Sequence, residues 1–421
     1  MTVDGQTAIE KIMSRASGSA RVAPGDVVVC AIDMTVLIDF QFRAFNQWSR
    51  PLRISDPAKV AVILDHGAPA PSIGDANAHA EARAFVAEFG IPNFFDIGHH
   101  GICHQVVAEQ GLARPGGMLV CADSHTCSGG AFNCAARGLG PMEVLQVLCT
   151  GQTWFVVPET VRVELTGRLP VGVTAKDAFL HLAGRYAHAT ANRAIEFDGP
   201  ALAGLDMHDR RVLATHGIEL LAEFALFPCD DVTTAALAVA DGPVDPLWSD
   251  AEAPVADRIQ VALDDVEPFV GLPGGVVDNS VPLADVGEVT VQQCFIGSCA
   301  NGQLDDLRVA ADLLQGRQVA AGTRLIVTPA SQQVLLDALR AGYIETLVAA
   351  GAMVTNPGCG ACPGYDLGVV GDGENCLTSS TRNFRGRMGS ATANVYMASP
   401  ATVAASAVAG RIVAARELVG G

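Results

Sequence analysis

An α/β fold of parallel or mixed sheets flanked by helices is predicted by three features of the sequence. Short all-apolar runs recur, each ends at polar residues, and several lead into a segment whose apolar residues return at helical spacing. Such alternation buries a parallel sheet under helices. In sheets of this kind ligands bind beyond the carboxyl ends of the strands, which is where the polar residues fall.

The first run, residues 60–64, ends at Asp65 and His66. Ala82, Phe85, Val86 and Phe89 then mark a helix that Gly90 and Pro92 stop. A second run, residues 118–122, ends at Asp123, Ser124 and His125. Residues 158–170 alternate apolar and polar, which predicts an exposed strand and a boundary, and the Pro/Gly/Asp-rich stretch 268–286 reads as a linker. Residues 289–296 run into Gly297, Ser298 and Cys299. Leu304, Leu307, Ala311 and Leu314 predict an amphipathic helix, residues 325–327 a strand, and Ser331 the N-cap of the helix after it. The Ala-rich C-terminus predicts a helix packed on the last sheet. Three α/β domains follow, 1–158, 159–284 and 285–421.

A hydrophobic content of 49% with only 17% charged residues excludes a disordered chain and leaves surface to spare for an interface with another chain. The net charge of −18 repels phosphate backbones and anionic lipid surfaces, so nucleic acid and membranes are not expected partners. No secretory signal and no run of eighteen apolar residues is visible, which predicts a soluble, cytoplasmic protein. Its 12 cysteines are then expected as reduced thiols or metal ligands.

Cys359 and Cys362, in Asn-Pro-Gly-Cys-Gly-Ala-Cys-Pro-Gly, can chelate one metal centre, with Gly and Pro letting the backbone fold tightly around it. By themselves they also fit a redox dithiol, half a zinc site or two buried thiols. Cys299, at another strand end among small residues, is a third candidate ligand. Three thiolates are one short of the usual set for an iron-sulfur cluster, and an iron without a protein thiolate is open to water or substrate.

The strings LDHGAPAP, GICHQ, ADSHTCSGGA, FIGSCAN, NPGCGACPG and RNFRGR, in that order, resemble the aconitase superfamily, and within it the large subunits of isopropylmalate dehydratases. The resemblance runs from residue 7 to residue 411. It implies an aconitase-like three-domain core, without the C-terminal swivel domain of single-chain aconitases, around a 4Fe-4S cluster held by Cys299, Cys359 and Cys362. It also implies three acid/base pairs, Asp65 with His66, His104 with Asp123, and His125 with Glu219, with His66 as general acid. Arg382 and Arg387 match carboxylate-binding arginines, and Ser124 is placed with them at the substrate. The pairing makes chemical sense, since a carboxylate beside an imidazole fixes its tautomer and raises its pKa. A planar guanidinium can grip a carboxylate at two points. The implied activity is dehydration and rehydration of a malate-type hydroxy dicarboxylic acid. A separate small subunit, about 150 to 200 residues long, is expected to supply the swivel domain and its serine base.

Three positions depart from the family pattern. Ile38 stands where a His or Gln usually reaches the substrate pocket, and Thr215 and Thr381 replace asparagines expected near the cluster. These changes point to altered specificity or cluster behaviour, and leave a homoaconitase-like or alkylmalate/alkylmaleate dehydratase as the alternative. A cluster sensor without catalysis is disfavoured by the retained His/carboxylate pairs. The remaining histidines and the other nine cysteines are expected to be structural or surface residues.

Overall fold

The computed structural model describes residues 5–43, 49–237 and 244–419. Its first sheet has five parallel strands in the order Asn93–Phe95, Val60–Ile63, Met34–Ile38, Met118–Cys121 and Ala135–Gly138. Val60–Ile63 and Met118–Cys121 are buried along their whole length, as all-apolar strands must be when both faces are covered. The three adjacent strands Val60–Ile63, Met34–Ile38 and Met118–Cys121 therefore run towards Asp65, Asp39 and Asp123 at one edge. The helix predicted after the first run is Ile73–Phe89, started by the Ser72 side chain and ended by Gly90.

A second, four-stranded parallel sheet has the order Phe224–Leu226, Ala194–Asp198, Thr160–Thr166, Asp257–Ala262. The strand expected to be exposed is instead paired on both sides and mostly buried. Its polar residues find partners inside: Arg162 lies in register with Glu196 of the next strand and donates to it at 3.1 Å. Glu196 also accepts from the Ala8 N–H and the Ser249 hydroxyl. Alternation thus reflects a neutralised buried pair rather than a wet face.

The third sheet has seven strands in the order Ser280–Pro282, Phe269–Gly271, Asn394–Met397, Asn375–Thr378, Gln293–Ile296, Arg324–Val327, Met353–Val354. The last five are parallel and the first two antiparallel. The stretch read as a linker is therefore a hairpin at the sheet edge. Its Gly and Pro residues make a turn, tied by the Asn279 amide to the carbonyls of Leu272, Pro273 and Gly275. Helix Leu304–Leu314 buries Leu307, Ala311 and Leu314. The Ser331 hydroxyl caps Gln332–Arg340 through the Val334 N–H at 3.1 Å, and Pro400–Ala409 packs Val403, Ala404 and Ala407 on the sheet.

One apolar cluster joins the first two sheets, with Val36, Ile63 and Leu119 continuous with Val161, Phe179 and Phe197. Burying each such side chain stabilises the fold by about 1.5–3 kcal/mol. The third sheet has its own core, and it docks on the first through backbone hydrogen bonds from Ile102 N–H to Ala330 O at 2.8 Å and from Gln332 N–H to His100 O at 3.0 Å. The Asn356 amide adds a bond to Ala68 O. The carboxyl-end loops of the two sheets consequently meet. Among the described residues no helix is long and apolar enough to cross a membrane.

Candidate active site

Where those loops meet lies a recess with about 340 Å³ of empty space, lined among others by Asp65, His66, His104, Asp123, His125, Cys299, Cys359, Cys362 and Arg387. A larger groove of about 1250 Å³ lies elsewhere, beside Arg168, Thr174 and His208. It holds none of the paired catalytic candidates, so chemistry rather than size selects the smaller recess.

Asp65, fully buried, bonds His66 Nδ1 through Oδ1 at 2.5 Å and accepts the Cys103 N–H through Oδ2 at 3.2 Å. Burial pushes the Asp65 carboxyl up to about 6. Burial also disfavours charge on His66, but Asp65 and the Cys359 sulfur outweigh it and raise the imidazole well above its ordinary value. Phe40 packs against the His66 ring at 4.3 Å between centroids.

Asp123 accepts from His104 Nε2 and from the His125 N–H, both at 2.8 Å, and its other oxygen lies 3.7 Å from His66 Nε2. Burial raises its pKa, but the His104 and His125 side chains outweigh this and hold the carboxyl well below the usual range. His104 is pushed down by burial, which Asp123 only partly offsets. His125 is raised well above its ordinary value against the burial penalty, by Cys299, Asp123 and Glu219. The recess thus sets two imidazoles that favour the proton beside one that favours the neutral form, a division suited to acid/base work.

Glu219 accepts from His125 Nε2 at 3.2 Å and from Arg382 Nε at 2.6 Å. Burial raises its pKa, but these two partners bring it below the ordinary value. Arg382 reaches the site through this pair, behind the lining, whereas Arg387 lines the recess and donates to Cys362 Sγ at 3.6 Å. Ser124 faces a separate recess with Cys127, Arg137 and Glu223.

The Cys359/Cys362 loop owes its tightness to glycine. Gly358 has φ 142° and a side chain there would stand 3.0 Å from Asp65 O, while Gly360 has φ 53° and would meet the Thr328 hydroxyl at 2.5 Å. The Sγ of Cys359 and one ligand atom each of Asp65 and His66 lie within 4.8 Å of one another. Burial pushes the Cys359 thiol up to about 12. At Cys362 burial is outweighed by the Arg387 guanidinium, which holds the thiol below its ordinary value.

Sequence reasoning missed Asp39. It is buried at the carboxyl end of Met34–Ile38, between the strands leading to Asp65 and Asp123, and it accepts the His66 N–H at 3.2 Å and the Gly67 N–H at 2.6 Å. The signal was available, because residues 34–38 are a mainly apolar run ending at an acid like the others. Of the three departures, only Thr381 lines the recess. Thr215 is buried nearby, with its carbonyl accepting from Cys127 Sγ. Ile38 packs in the core cluster that contains Val36, Ile63 and Cys103, so its apolar side chain serves packing at this position.

The family model for the aconitase family (aconitate hydratase) matches residues 75–284 and 276–410. The chain belongs to the aconitase family. Among curated relatives of this family member, it is 54% identical over 418 residues to a 3-isopropylmalate dehydratase large subunit of Mycolicibacterium smegmatis, covering 99% of this chain and 98% of the relative. It is 42% identical to 3-isopropylmalate dehydratase large subunit 1 of Methanopyrus kandleri, over 97% and 98% of the two chains. It is 38% identical, over 98% of each chain, to a protein of Methanothermobacter thermautotrophicus named a probable methanogen homoaconitase large subunit.

Aconitase-family membership implies a 4Fe-4S cluster, and the recess suits one. Cys299, Cys359 and Cys362 all line it, and each is at most 9% exposed. Around them the Ser298 and Thr381 hydroxyls and Arg387 Nε are buried without a hydrogen-bond partner. Donors left in that state need an acceptor, and cluster sulfides and thiolates supply several.

Proposed function

We propose that this chain is the cluster-bearing large subunit of a hydro-lyase/isomerase that dehydrates and rehydrates a malate-type hydroxy dicarboxylic acid, with 3-isopropylmalate as the first candidate substrate. The observation that carries the reading is the meeting of the His/carboxylate groups, three cysteines and Arg387 at one recess, in a chain aligned end to end with dehydratase large subunits. The cluster, held by Cys299, Cys359 and Cys362, would leave one iron without a protein thiolate to polarise the substrate hydroxyl.

The protein's own groups do the rest. His66, kept protonated by Asp65, donates to the departing hydroxyl, with the Phe40 ring limiting its movement. Asp123 orients His104 and the His125 backbone at once, which fixes both imidazoles relative to His66. Arg387 holds a substrate carboxylate, and Arg382 acts on the same site by fixing Glu219 and through it His125. No group at the recess is assigned as the base that removes the carbon-bound proton. That role, a serine, is assigned to a small subunit carrying the swivel domain, in keeping with the large-subunit names of the relatives.

A homoaconitase-like substrate range is the second reading, favoured by the relative of that name at 38% identity. The test is anaerobic co-purification with the candidate small subunit and an ultraviolet assay for unsaturated diacids over a panel of malates and homocitrate analogues. Turnover of 3-isopropylmalate with little on the longer acids supports the first reading, the reverse pattern supports the second, and substantial turnover by this chain alone sinks the two-subunit assignment.

A further inference from the structure

Behind the recess a lysine is buried completely. Lys176 is the second residue of helix Ala175–Arg185 and has no solvent exposure. A cation in a helix's first turn opposes the macrodipole, and a buried ammonium without an anion costs several kcal/mol, so chains rarely keep one without a use for it. Its hydrogen-bond partners are all neutral acceptors: His216 Nε2 at 2.9 Å, Ser379 O at 3.2 Å and Ser380 O at 2.8 Å. His216 Nδ1 is engaged by Val212 O at 2.6 Å, which leaves Nε2 as the lone-pair nitrogen facing the lysine, and the ring is stacked on Phe179 at 3.9 Å. Three acceptors therefore hold the ammonium in one place, and among the described residues no carboxylate forms an ion pair with it.

Burial pushes the Lys176 ammonium down to about 7, opposed by charge from groups further off: Cys299 first, then Glu219, Cys362 and Asp306. Of these, Cys299 and Cys362 line the recess. The two carbonyls it holds lie between the strand Asn375–Thr378 and Arg382, and the Ser379 N–H is itself fixed to Phe295 O on the strand that leads to Cys299. Lys176 is thus tied by hydrogen bonds to the two residues that follow one strand of this sheet and, through Ser379, to the strand that leads to Cys299.

We propose that Lys176 is a positioning residue whose ammonium is the fixed counter-charge of the thiolate-held cluster and whose hydrogen bonds hold residues 379 and 380 beside it. The proposal rests on the cluster reading above. A neutral residue at this place should ease the folding of the metal-free chain while weakening the hold on an anionic group. The opposite signs distinguish a counter-charge from a purely structural lysine.

The test uses the assembled enzyme and the metal-free chain of the parent, Lys176→Met, Lys176→Gln and Lys176→Arg. In the Met and Gln variants the one-electron midpoint potential of the cluster should fall, by about tenfold in the reduction equilibrium, which corresponds to about 59 mV. The Arg variant should restore part of it. The metal-free Met variant should melt no lower than the metal-free parent, and cluster loading should raise its melting temperature less than it raises the parent's. An unchanged potential, or an equal loss of stability with and without cluster, overturns the counter-charge role. Failure of both neutral variants to fold also overturns it, since Lys176 would then be a requirement of the fold itself. A parent that holds no cluster fails differently, because it removes the underlying reading rather than the role of Lys176.

Discussion

Asp123→Asn is the substitution whose effect follows most directly from the geometry. It keeps the side-chain shape and removes the charge from a carboxylate that accepts from His104 Nε2 and the His125 N–H, each at 2.8 Å. A hydrogen bond to an ionised group contributes about 1.5–3 kcal/mol against about 0.5–1.5 for a neutral one, so weakening two of them should lower stability by about 2–3 kcal/mol. The sign with pH also follows. The folded-state carboxyl is held below its usual range, so its stabilisation is present above the unfolded value of about 4 and is lost as the pH falls below it. The urea midpoints of parent and variant should therefore differ at neutral pH and converge in acid. Losing the group that orients two imidazoles should also lower kcat by about 10²–10⁴, or about 3–5.5 kcal/mol of barrier. Unsaturated-diacid formation by the loaded complex reads this out. Turnover within about threefold of the parent, from a folded and loaded variant, would refute the assignment.

Arg387→Lys should raise KM about 10- to 100-fold with a smaller change in kcat, because an ammonium cannot reproduce a two-point grip on a carboxylate; steady-state kinetics checks it. His208 is raised to about 9, against burial, by Asp306 3.0 Å away. Its contribution, about 1–2 kcal/mol, is full below about 6.5 and lost as the pH rises through 9, so the parent's urea midpoint should fall over that interval and that of His208→Gln should stay nearly flat. Phe197, stacked on Phe227 at 4.6 Å in the shared core, should cost about 3–5 kcal/mol when changed to Ala, visible by thermal melting without any change in the identity of the site.

Much of this was readable from the chain itself because buried parallel strands leave an unambiguous mark. The runs at 60–64, 118–122 and 289–296 each contain a buried strand, and the residues that follow bring Asp65, His66, Asp123, His125, Ser298 and Cys299 to the recess, though not Ser124. Charge pairing across strands was not readable. Arg162 and Glu196 look like solvent-facing residues until their register brings them together, which is why residues 158–170 were read as exposed. The hairpin at 269–282 was hidden for a related reason, as Gly and Pro mark a turn without saying whether its arms join a sheet. In the site, the motifs pointed to the three His/carboxylate pairs and the cysteines, which the structure brings together at or beside the recess, but two other long-range contacts were not readable. The bond of Arg382 to Glu219 and the burial of Lys176 against residues 379 and 380 depend on the packing of one sheet against another.

The measurement that tests the central claim most directly is iron and sulfide analysis of the anaerobically assembled complex, paired with turnover of 3-isopropylmalate, for the parent and for Cys299→Ser, Cys359→Ser and Cys362→Ser. The account predicts about four irons per parent chain with turnover, and loss of both in each serine variant. Turnover that survives in a cluster-free variant, or a folded parent complex that binds no iron, would contradict it.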